Sequence, residues 1–134
     1  MPLQTHPDFV AIDLTLHVDG KEPQHIPIDG AESIYVQIPG GVKYRMTLRF
    51  KVKNRELSNL KYKQNVKKAG VTVRSREVDL GTREPSETEI YEQDFPEDET
   101  PGGWLMRGKY AATSYYSAGD EMLIVNDWTL EITA

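Results

Sequence analysis

The sequence predicts an all-β protein, a two-sheet sandwich of about nine strands, and three observations support this prediction. Apolar and polar residues alternate with period two in many segments, most regularly in KYRMTLRFKVK, Lys43 to Lys53. No window sustains the spacing of three and four residues that an amphipathic helix requires. Turn-forming sequences rich in Gly, Pro and Asp separate the alternating segments. Many short strands between such turns are typical of a sandwich.

The predicted strands follow one another along the chain, and turn residues mark several of their ends. Asp19-Gly20 follows the first strand, Asp29-Gly30 the second and Pro39-Gly40-Gly41 the third, while Pro101-Gly102-Gly103 precedes the eighth. A single helical turn is the alternative for Asn54–Asn59, before the fifth strand, and for the Glu-rich segment after Arg83. The predicted strands are Val10–Val18, a segment around His25–Ile28, Ser33–Ile38, Lys43–Lys53, Leu60–Lys67, Val71–Leu80, a segment around Thr88–Asp94, Trp104–Tyr116 and Met122–Thr133.

The length of 134 residues fits a single domain with one core. Residues 1–9 contain two prolines and little pattern, so we expect a loosely ordered lead-in before a sandwich over residues 10–134. Within the sandwich, side chains of a strand alternate between two faces, so the apolar residues from Tyr44 to Val52 share one face. Burial of each contributes about 1.5 to 3 kcal/mol, whereas cations are costly to bury. We therefore expect the apolar row in the core and the cations in water.

The net charge of −5 conceals a strong asymmetry along the chain. Between Lys43 and Arg76, 12 Lys and Arg residues against the single acid Glu56 give +11, and the remainder carries −16. The outward cations suit either a nucleic-acid platform with Tyr62 stacked on bases, or a solvated face that discourages edge-to-edge aggregation. The acidic remainder would repel a polyanion, so we expect no nucleic-acid partner. The cations concerned are Arg45, Arg49, Lys51, Lys61, Lys63, Lys67 and Lys68.

Residue types that carry catalysis or bind metals are sparse. The three His residues are scattered, Cys is absent and no Ser lies in a G-x-S-x-G motif, so we expect no enzyme. The segment Glu84–Glu99 holds eight acids without the spacing of a calcium loop, so we expect neither a metal nor another cofactor. The absence of Cys, of a signal-peptide pattern and of a long apolar run indicates a cytoplasmic protein without stable membrane insertion.

Two interpretations of the predicted interior remain open at this point. The inward-facing residues include several aromatic side chains, such as Phe50, Tyr62, Tyr110 and Trp128. They suit an ordinary solid sandwich core, and they equally suit a ligand cavity between the sheets. Alternation alone does not separate the two.

Several short motifs occur in a fixed order that extends from Phe9 to Ile132. They are Gly41-Val42-Lys43-Tyr44-Arg45, Ser58-Asn59-Leu60-Lys61-Tyr62-Lys63-Gln64, Gly70-Val71, the run EDETPGGWLMRGKY from Glu97 to Tyr110, and Asp127-Trp128-Thr129-Leu130-Glu131-Ile132. This ordered set resembles the Rho GDP-dissociation inhibitor family, which has GVEYR, SGLKY-x-Q, KG-[VI]-K, EEAP-x-GMLARG-x-Y and EW-x-L-x-I at these places. The resemblance covers almost the whole chain.

The resemblance implies an immunoglobulin-like sandwich whose sheets part to hold the geranylgeranyl group of a Rho-type small GTPase. Such a protein extracts its partner from membranes, inhibits GDP dissociation, and is expected to act as a monomer. Two alternatives are a chaperone for other lipidated proteins without an effect on nucleotide exchange, and a solid-core β interaction module. The matching positions that the resemblance favours for the lining of this site are Phe50, Leu60, Tyr62, Tyr110 and Trp128. Together with other apolar residues, the positions assigned to prenyl binding are Leu48, Phe50, Leu60, Tyr62, Val71, Val73, Leu105, Met106, Tyr110, Val125, Trp128 and Leu130.

The resemblance also gives the acidic segment a role. Rho-type GTPases carry a basic stretch before the lipidated end, and complementary charge would attract it. Asp120 and Glu121 are expected to contact the GTPase switch regions, although Tyr116–Asp120 lacks two acids of the family's FTDDD turn. The N-terminal arm of the family is missing from the sequence, so we expect either a trimmed chain or a short relative. The acids assigned to the basic tail are Glu87, Glu89, Glu92, Asp94, Glu97, Asp98 and Glu99.

Overall fold

A computed structural model of the chain describes residues 4–103 and 106–134, and these form ten strands. The strands are β1 (Phe9–Val18), β2 (Gln24–Pro27), β3 (Tyr35–Pro39), β4 (Lys43–Val52), β5 (Leu57–Lys68), β6 (Val71–Arg83), β7 (Tyr91–Asp94), β8 (Asp98–Glu99), β9 (Gly108–Ala118) and β10 (Glu121–Thr133). In this described part, no helix has the length and apolar character needed to cross a membrane.

The strands form two five-stranded sheets that pack face to face. The first sheet has the order β2-β1-β4-β7, and β8 also pairs with β4. The second sheet has the order β3-β10-β9-β5-β6, in which β3 runs parallel to β10 and the other neighbours are antiparallel. The prediction of an all-β sandwich is therefore confirmed. The strand beyond the predicted nine is β8, whose two residues are too few to show alternation.

The bounds of several predicted strands differ from the observed ones by a few residues, and the differences at the starts of β5 and β9 are the most informative. β5 begins at Leu57, inside the stretch where a helical turn was the alternative, because Leu57 is buried and the chain continues through irregular pairing with β6. Asn59 has φ of 52° there, a left-handed conformation that Asn tolerates better than most residues. The predicted eighth strand began at Trp104, which lies outside the described residues, and the observed β9 begins at Gly108.

Aromatic rings from both sheets interlock in the interior, in a cluster that we call the aromatic core: Phe9, Phe50, Tyr62, Phe95 and Tyr116. All five side chains are almost wholly buried. The ring centroids of Phe9 and Phe50 are 5.6 Å apart, and Tyr62 lies 4.9 Å from Phe95 and 5.2 Å from Tyr116. Such offset and edge contacts add to the free energy gained by burial. The aromatic core therefore joins β1 and β4 of the first sheet to β5 and β9 of the second.

Residues before β1 contact the sandwich. The Arg55 guanidinium lies 2.7 Å from a carboxylate oxygen of Asp8 and 2.7 Å from one of Glu121. Hydrogen bonds from Asn54 and Arg55 lower the pKa of Asp8. The backbone N–H of Val125 also donates to the Gln4 side chain at 2.7 Å. β1 begins one residue earlier than predicted, and the expected looseness of residues 1–9 stays a prediction.

Because the inward-facing residues of β4 are buried, alanine substitutions at two methionines are expected to change the free energy of unfolding by very different amounts. Met46→Ala is expected to lower the free energy of unfolding by about 2 to 5 kcal/mol, because Met46 is buried between the sheets and its loss leaves a cavity. Met122→Ala is the matched control, with an expected change within about 0.5 kcal/mol, because 52% of Met122 is exposed. Urea denaturation followed by tryptophan fluorescence measures both. Similar losses for the two variants would contradict this assignment of the core.

Candidate functional site

A cleft of about 380 Å³ opens between the two sheets at one end of the sandwich. The second sheet contributes the end of β5, the start of β6, the start of β9 and the end of β10, and Tyr44 at the start of β4 lies across from them. Residues 98–101 and Met106, from β8 and the connection to β9, form the remaining side. The volume is within the range of roughly 300 to 1,000 Å³ that small-molecule pockets occupy.

Unequal strand lengths explain why the sheets part at this end. β5 and β6 have 12 and 13 residues, whereas the first sheet ends in β7 and β8, which have only 4 and 2. The hairpin of β5 and β6 therefore extends past the short strands that face it. Its far end is open to solvent, since Val71–Ser75 are all exposed.

The wall of the cleft is mainly apolar. Val66, Tyr110 and Ile132 are buried, and Leu130 is half-buried beside them. All four occupy inward positions on neighbouring strands of the second sheet, where alternation places side chains on one face. Larger depressions of 470 and 480 Å³ exist on the surface, but they are lined mostly by polar and charged residues. The cleft is therefore the better candidate for an apolar ligand.

A network of hydrogen bonds holds the side-chain amide of Gln64, a buried residue that lines the cleft. Trp128 Nε1 donates to Ser114 Oγ at 2.9 Å, and the Ser114 and Tyr62 hydroxyl oxygens are 2.7 Å apart. Tyr62 donates its proton to Gln64 Oε1 at 2.8 Å, so the Ser114 hydroxyl must donate to Tyr62. Burial raises the pKa of Tyr62, which keeps the phenol protonated. Gln64 is 5% exposed, and the hydrogen-bond network holds its amide oxygen through the Tyr62 hydroxyl.

Charged groups line one side of the cleft mouth. Asp98 accepts a hydrogen bond from the Tyr44 hydroxyl at 3.2 Å and forms ion pairs with Arg74 and Arg76. Burial, with a smaller contribution from Asp98, raises the pKa of Tyr44 to about 12. Tyr44 is therefore a neutral donor across the ordinary pH range. Lys68 lies 4.7 Å above the Tyr110 ring centroid on the other side.

Hydrogen bonds between residues 39–41 and residues 100–101 hold the start of the connection from β8 to β9 beside the cleft. Thr100 Oγ1 donates to the Pro39 carbonyl at 2.7 Å, and the Gly41 N–H donates to the Pro101 carbonyl at 3.2 Å. A Cβ placed on Gly40 would lie 3.1 Å from the Pro101 oxygen and 3.3 Å from Cγ2 of Ile132, a residue that lines the cleft. A side chain at position 40 would therefore require the Pro101 carbonyl or Ile132 to shift by a few tenths of an ångström.

The structure separates the twelve residues assigned to prenyl binding. Four of them line the cleft: Val73, Met106, Tyr110 and Leu130. Five are buried in the closed part of the interior: Leu48, Phe50, Leu60, Tyr62 and Trp128. Val71 is exposed beyond the cleft, Val125 is at an outward position of β10, and Leu105 lies outside the described residues. Their roles in binding stay predictions.

The sequence prediction assigned only four of the fourteen lining residues to prenyl binding. The missed residues are Tyr44, Gln64, Val66, Lys68, Arg74, Thr100, Pro101 and Ile132, together with Asp98 and Glu99, which were assigned to another contact. A usable signal existed for Gln64, Val66 and Lys68, because they continue the inward alternation from Tyr62 along β5.

The predicted acidic patch follows one edge of the first sheet. β7 and β8 pair with β4 in succession, which places Glu92 opposite Arg49 and Glu99 opposite Lys43. Glu87 and Glu89 are exposed before β7, and Glu97 is exposed before β8. Asp94 accepts a hydrogen bond from Thr47, and Asp98 is occupied by its arginine pairs. Among the residues described, no three acidic or His side chains are grouped as metal ligands.

Asp120 and Glu121, the predicted switch-region contacts, lie in the turn before β10 and at the first residue of β10, at the opposite end of the sandwich from the cleft. Asp120 is exposed. Glu121 accepts two hydrogen bonds from Arg55, at 2.9 and 2.7 Å. Only Asp120 is therefore presented without a strong cationic partner among the residues described.

Comparison with known proteins identifies a family and several relatives. Residues 3–134 match the sequence profile described as RHO protein GDP dissociation inhibitor. A probable rho GDP-dissociation inhibitor of Caenorhabditis elegans is 32% identical over 124 residues, 88% of this chain and 64% of that protein. The Rho GDP-dissociation inhibitor of Saccharomyces cerevisiae is 32% identical over 134 residues, 97% of this chain and 62% of that protein. Rho GDP-dissociation inhibitor 1 of Homo sapiens is 31% identical over 133 residues, with shares of 94% and 64%. The chain thus spans slightly less than two thirds of the length of these relatives.

The hydrogen-bond network next to Gln64 predicts a loss of stability when its central residue, Ser114, is replaced. Ser114→Ala is expected to lower the free energy of unfolding by about 1 to 3 kcal/mol, because buried Trp128 and Tyr62 both lose a partner. Ser117→Ala, at an outward position of the same strand, is the matched control and should change it by less than about 0.5 kcal/mol. Equal losses for the two variants in urea denaturation would show that these hydrogen bonds do not contribute to the free energy of unfolding.

Proposed function

Since the chain belongs to the family of RHO protein GDP dissociation inhibitors, we propose that its cleft binds the geranylgeranyl group at the C-terminus of a Rho-type small GTPase. The observation that carries this proposal is the apolar cleft of about 380 Å³ at the parted end of the sandwich. An isoprenoid of about twenty carbons gains roughly 0.8 kcal/mol for each buried carbon in a membrane, so extraction requires a comparable apolar site in water. Val66, Tyr110, Leu130 and Ile132 offer such a site.

The cleft and the aromatic core would play different parts in this binding. We propose that the lipid contacts Val73, Met106, Tyr110 and Leu130 directly, because these side chains line the open cleft. The other assigned side chains are packed against neighbours behind it. Contact between lipid and the buried Phe50 or Trp128 would require the two sheets to separate further.

Binding of the lipid would let the chain remove a GTPase from a membrane and hold it in the cytoplasm as a one-to-one complex, without catalysis. Inhibition of GDP dissociation is the second part of the proposed function. It requires contact with the nucleotide-binding part of the GTPase, for which Asp120 is the best-presented candidate in the turn before β10. Glu121 would have to exchange Arg55 for a cation of the partner.

The acidic edge is proposed to attract the basic stretch that precedes the lipid. Glu92 and Glu99 are exposed along β7 and β8, and the edge ends at the cleft, where Glu99 lines the mouth. A basic chain aligned with this edge would deliver its lipidated end to the opening. Charge complementarity of this kind raises the association rate more than it prolongs the complex.

A charge placed in the cleft tests lipid binding. Met106→Glu is expected to weaken binding of a fluorescent geranylgeranyl-cysteine peptide at least about tenfold, because the carboxylate would lose hydration against the lipid. Met122→Glu is the matched control, since Met122 has similar exposure but lies at the other end of the molecule. Fluorescence titration measures both, and circular dichroism verifies folding. Unchanged binding by Met106→Glu would contradict the assignment of the site.

A second measurement on the same proteins separates the two parts of the function. If the unmodified chain binds the peptide but does not slow GDP release from a prenylated Rho-type GTPase, lipid transport remains and inhibition of GDP dissociation is excluded.

Neutralisation of the acidic edge tests the attraction of the basic stretch. Glu92→Gln combined with Glu99→Gln is expected to lower the association rate with a prenylated Rho-type GTPase several-fold at low salt, with little change in dissociation. Glu22→Gln with Glu32→Gln is the matched control, because both are exposed near the opposite edge of the first sheet. Stopped-flow fluorescence at low and high salt gives the rates. The difference should vanish at high salt, and a loss that is independent of salt would argue against electrostatic attraction.

A further inference from the structure

We propose that the rim of the cleft is a docking surface for anionic lipid bilayers. The cleft rim consists of Lys67, Lys68, Val71, Val73, Met106 and Arg107. The proposed function gives a reason for such docking, since it requires the cleft to receive a lipid from a membrane, but the docking itself requires no cargo. The proposal is carried by three properties of the rim: exposed apolar groups, their continuity, and a local excess of positive charge.

Exposed apolar side chains are concentrated at the rim. Val71, Val73 and Met106 are 65%, 55% and 46% exposed, and they make up half of the large hydrophobic residues that are exposed in the described part of the chain. Val73 and Met106 line the cleft itself, and Val71 follows the turn at Gly70 that ends the hairpin. Exposed apolar groups that gather at one place mark a surface for a protein or membrane partner.

Lys68 joins the two segments of the rim into one surface. In the ladder between β5 and β6 it pairs with Val71. Its ammonium donates to the backbone carbonyl of Arg107 at 3.3 Å. The hairpin end and the segment before β9 are therefore adjacent at the cleft opening, and Lys67 adds a cation on the outward face of the same hairpin end.

The cations of the rim lack acidic partners, which favours a bilayer with negative headgroups. Arg49, Arg55, Lys61, Arg74 and Arg76 all form ion pairs with carboxylates. Among the described residues Lys67, Lys68 and Arg107 form none, and eight further cations share this property. The three rim cations differ from those eight in their position beside the exposed apolar side chains of the cleft opening. Basic groups beside apolar ones suit the boundary of headgroups and acyl chains. A second copy of the chain would bring an identical cationic rim, so self-association through this surface is disfavoured.

Sedimentation with lipid vesicles tests the proposal on the whole chain. We expect binding to vesicles of phosphatidylcholine with phosphatidylserine, little binding to phosphatidylcholine alone, and weakening by salt. Lys67→Glu should lower the partition coefficient at least about fivefold, since each cation near an anionic surface contributes about that factor. Val71→Ser should lower it as well. Neither residue lines the cleft.

Lys63→Glu is the matched control. It changes the net charge by the same amount, and Lys63 is exposed on the same outward face of β5. It lies four residues from Lys67, about 13 Å along the strand, which exceeds the Debye length of about 8 Å at physiological salt. Lys63→Glu should therefore bind vesicles nearly as well as the unmodified chain.

Four results would overturn the proposal: no vesicle binding, equal binding to neutral vesicles, equal losses for Lys63→Glu and Lys67→Glu, or a dimer in light scattering that Val71→Ser dissociates. The last result would identify the rim as an interface between copies. Titration with the soluble geranylgeranyl-cysteine peptide keeps the two proposals apart. Vesicle binding without peptide binding would remove the proposed function and retain the docking surface, and peptide binding without vesicle binding would do the reverse.

Discussion

The contact between the aromatic rings of the two sheets is the interaction on which the rest of the structure depends. Phe9 of the first sheet meets Tyr116 of the second at a centroid separation of 5.4 Å, and Phe50 and Tyr62 pack against these two rings within their own sheets at 5.6 and 5.2 Å. These contacts fix the distance between the sheets at one end. Because that end is firmly closed, the other end can remain parted without loss of the fold. A sandwich packed uniformly along its length would have no space for a ligand.

Much of the fold follows from alternation in the sequence, and β4 shows why. Its inward residues from Tyr44 to Val52 are all buried, and its cations all retain some exposure, as the pattern predicts. The ordered motifs also predicted the family correctly. The start of β5 was not predictable from alternation, because irregular pairing at Asn59 changes the register within a few residues. β8 depends on pairing with a distant strand, which no local pattern reveals.

The site was less predictable than the fold, because alternation indicates which residues face inward but not which of them lack a facing neighbour. Leu48 and Leu130 both occupy inward positions, yet Leu48 is wholly buried beneath the other sheet and Leu130 lines the cleft. The difference arises from the lengths of β7 and β8, strands that contain neither residue. The acids show the same limit, since Asp98 is paired with arginines while Glu92 remains exposed.

The close approach of the two PGG turns has a consequence for the width of the cleft. Gly40 lies behind Ile132 and beside the Pro101 carbonyl, and a methyl group added there would press against both. Ile132 and Pro101 line the cleft, so the backbone at Gly40 supports this wall from the side away from the opening. A side chain introduced at Gly40 would act as a wedge, shifting the wall while every residue that faces the ligand stays the same. The width of the cleft can therefore be altered by a substitution at Gly40, a position that does not itself line the cleft.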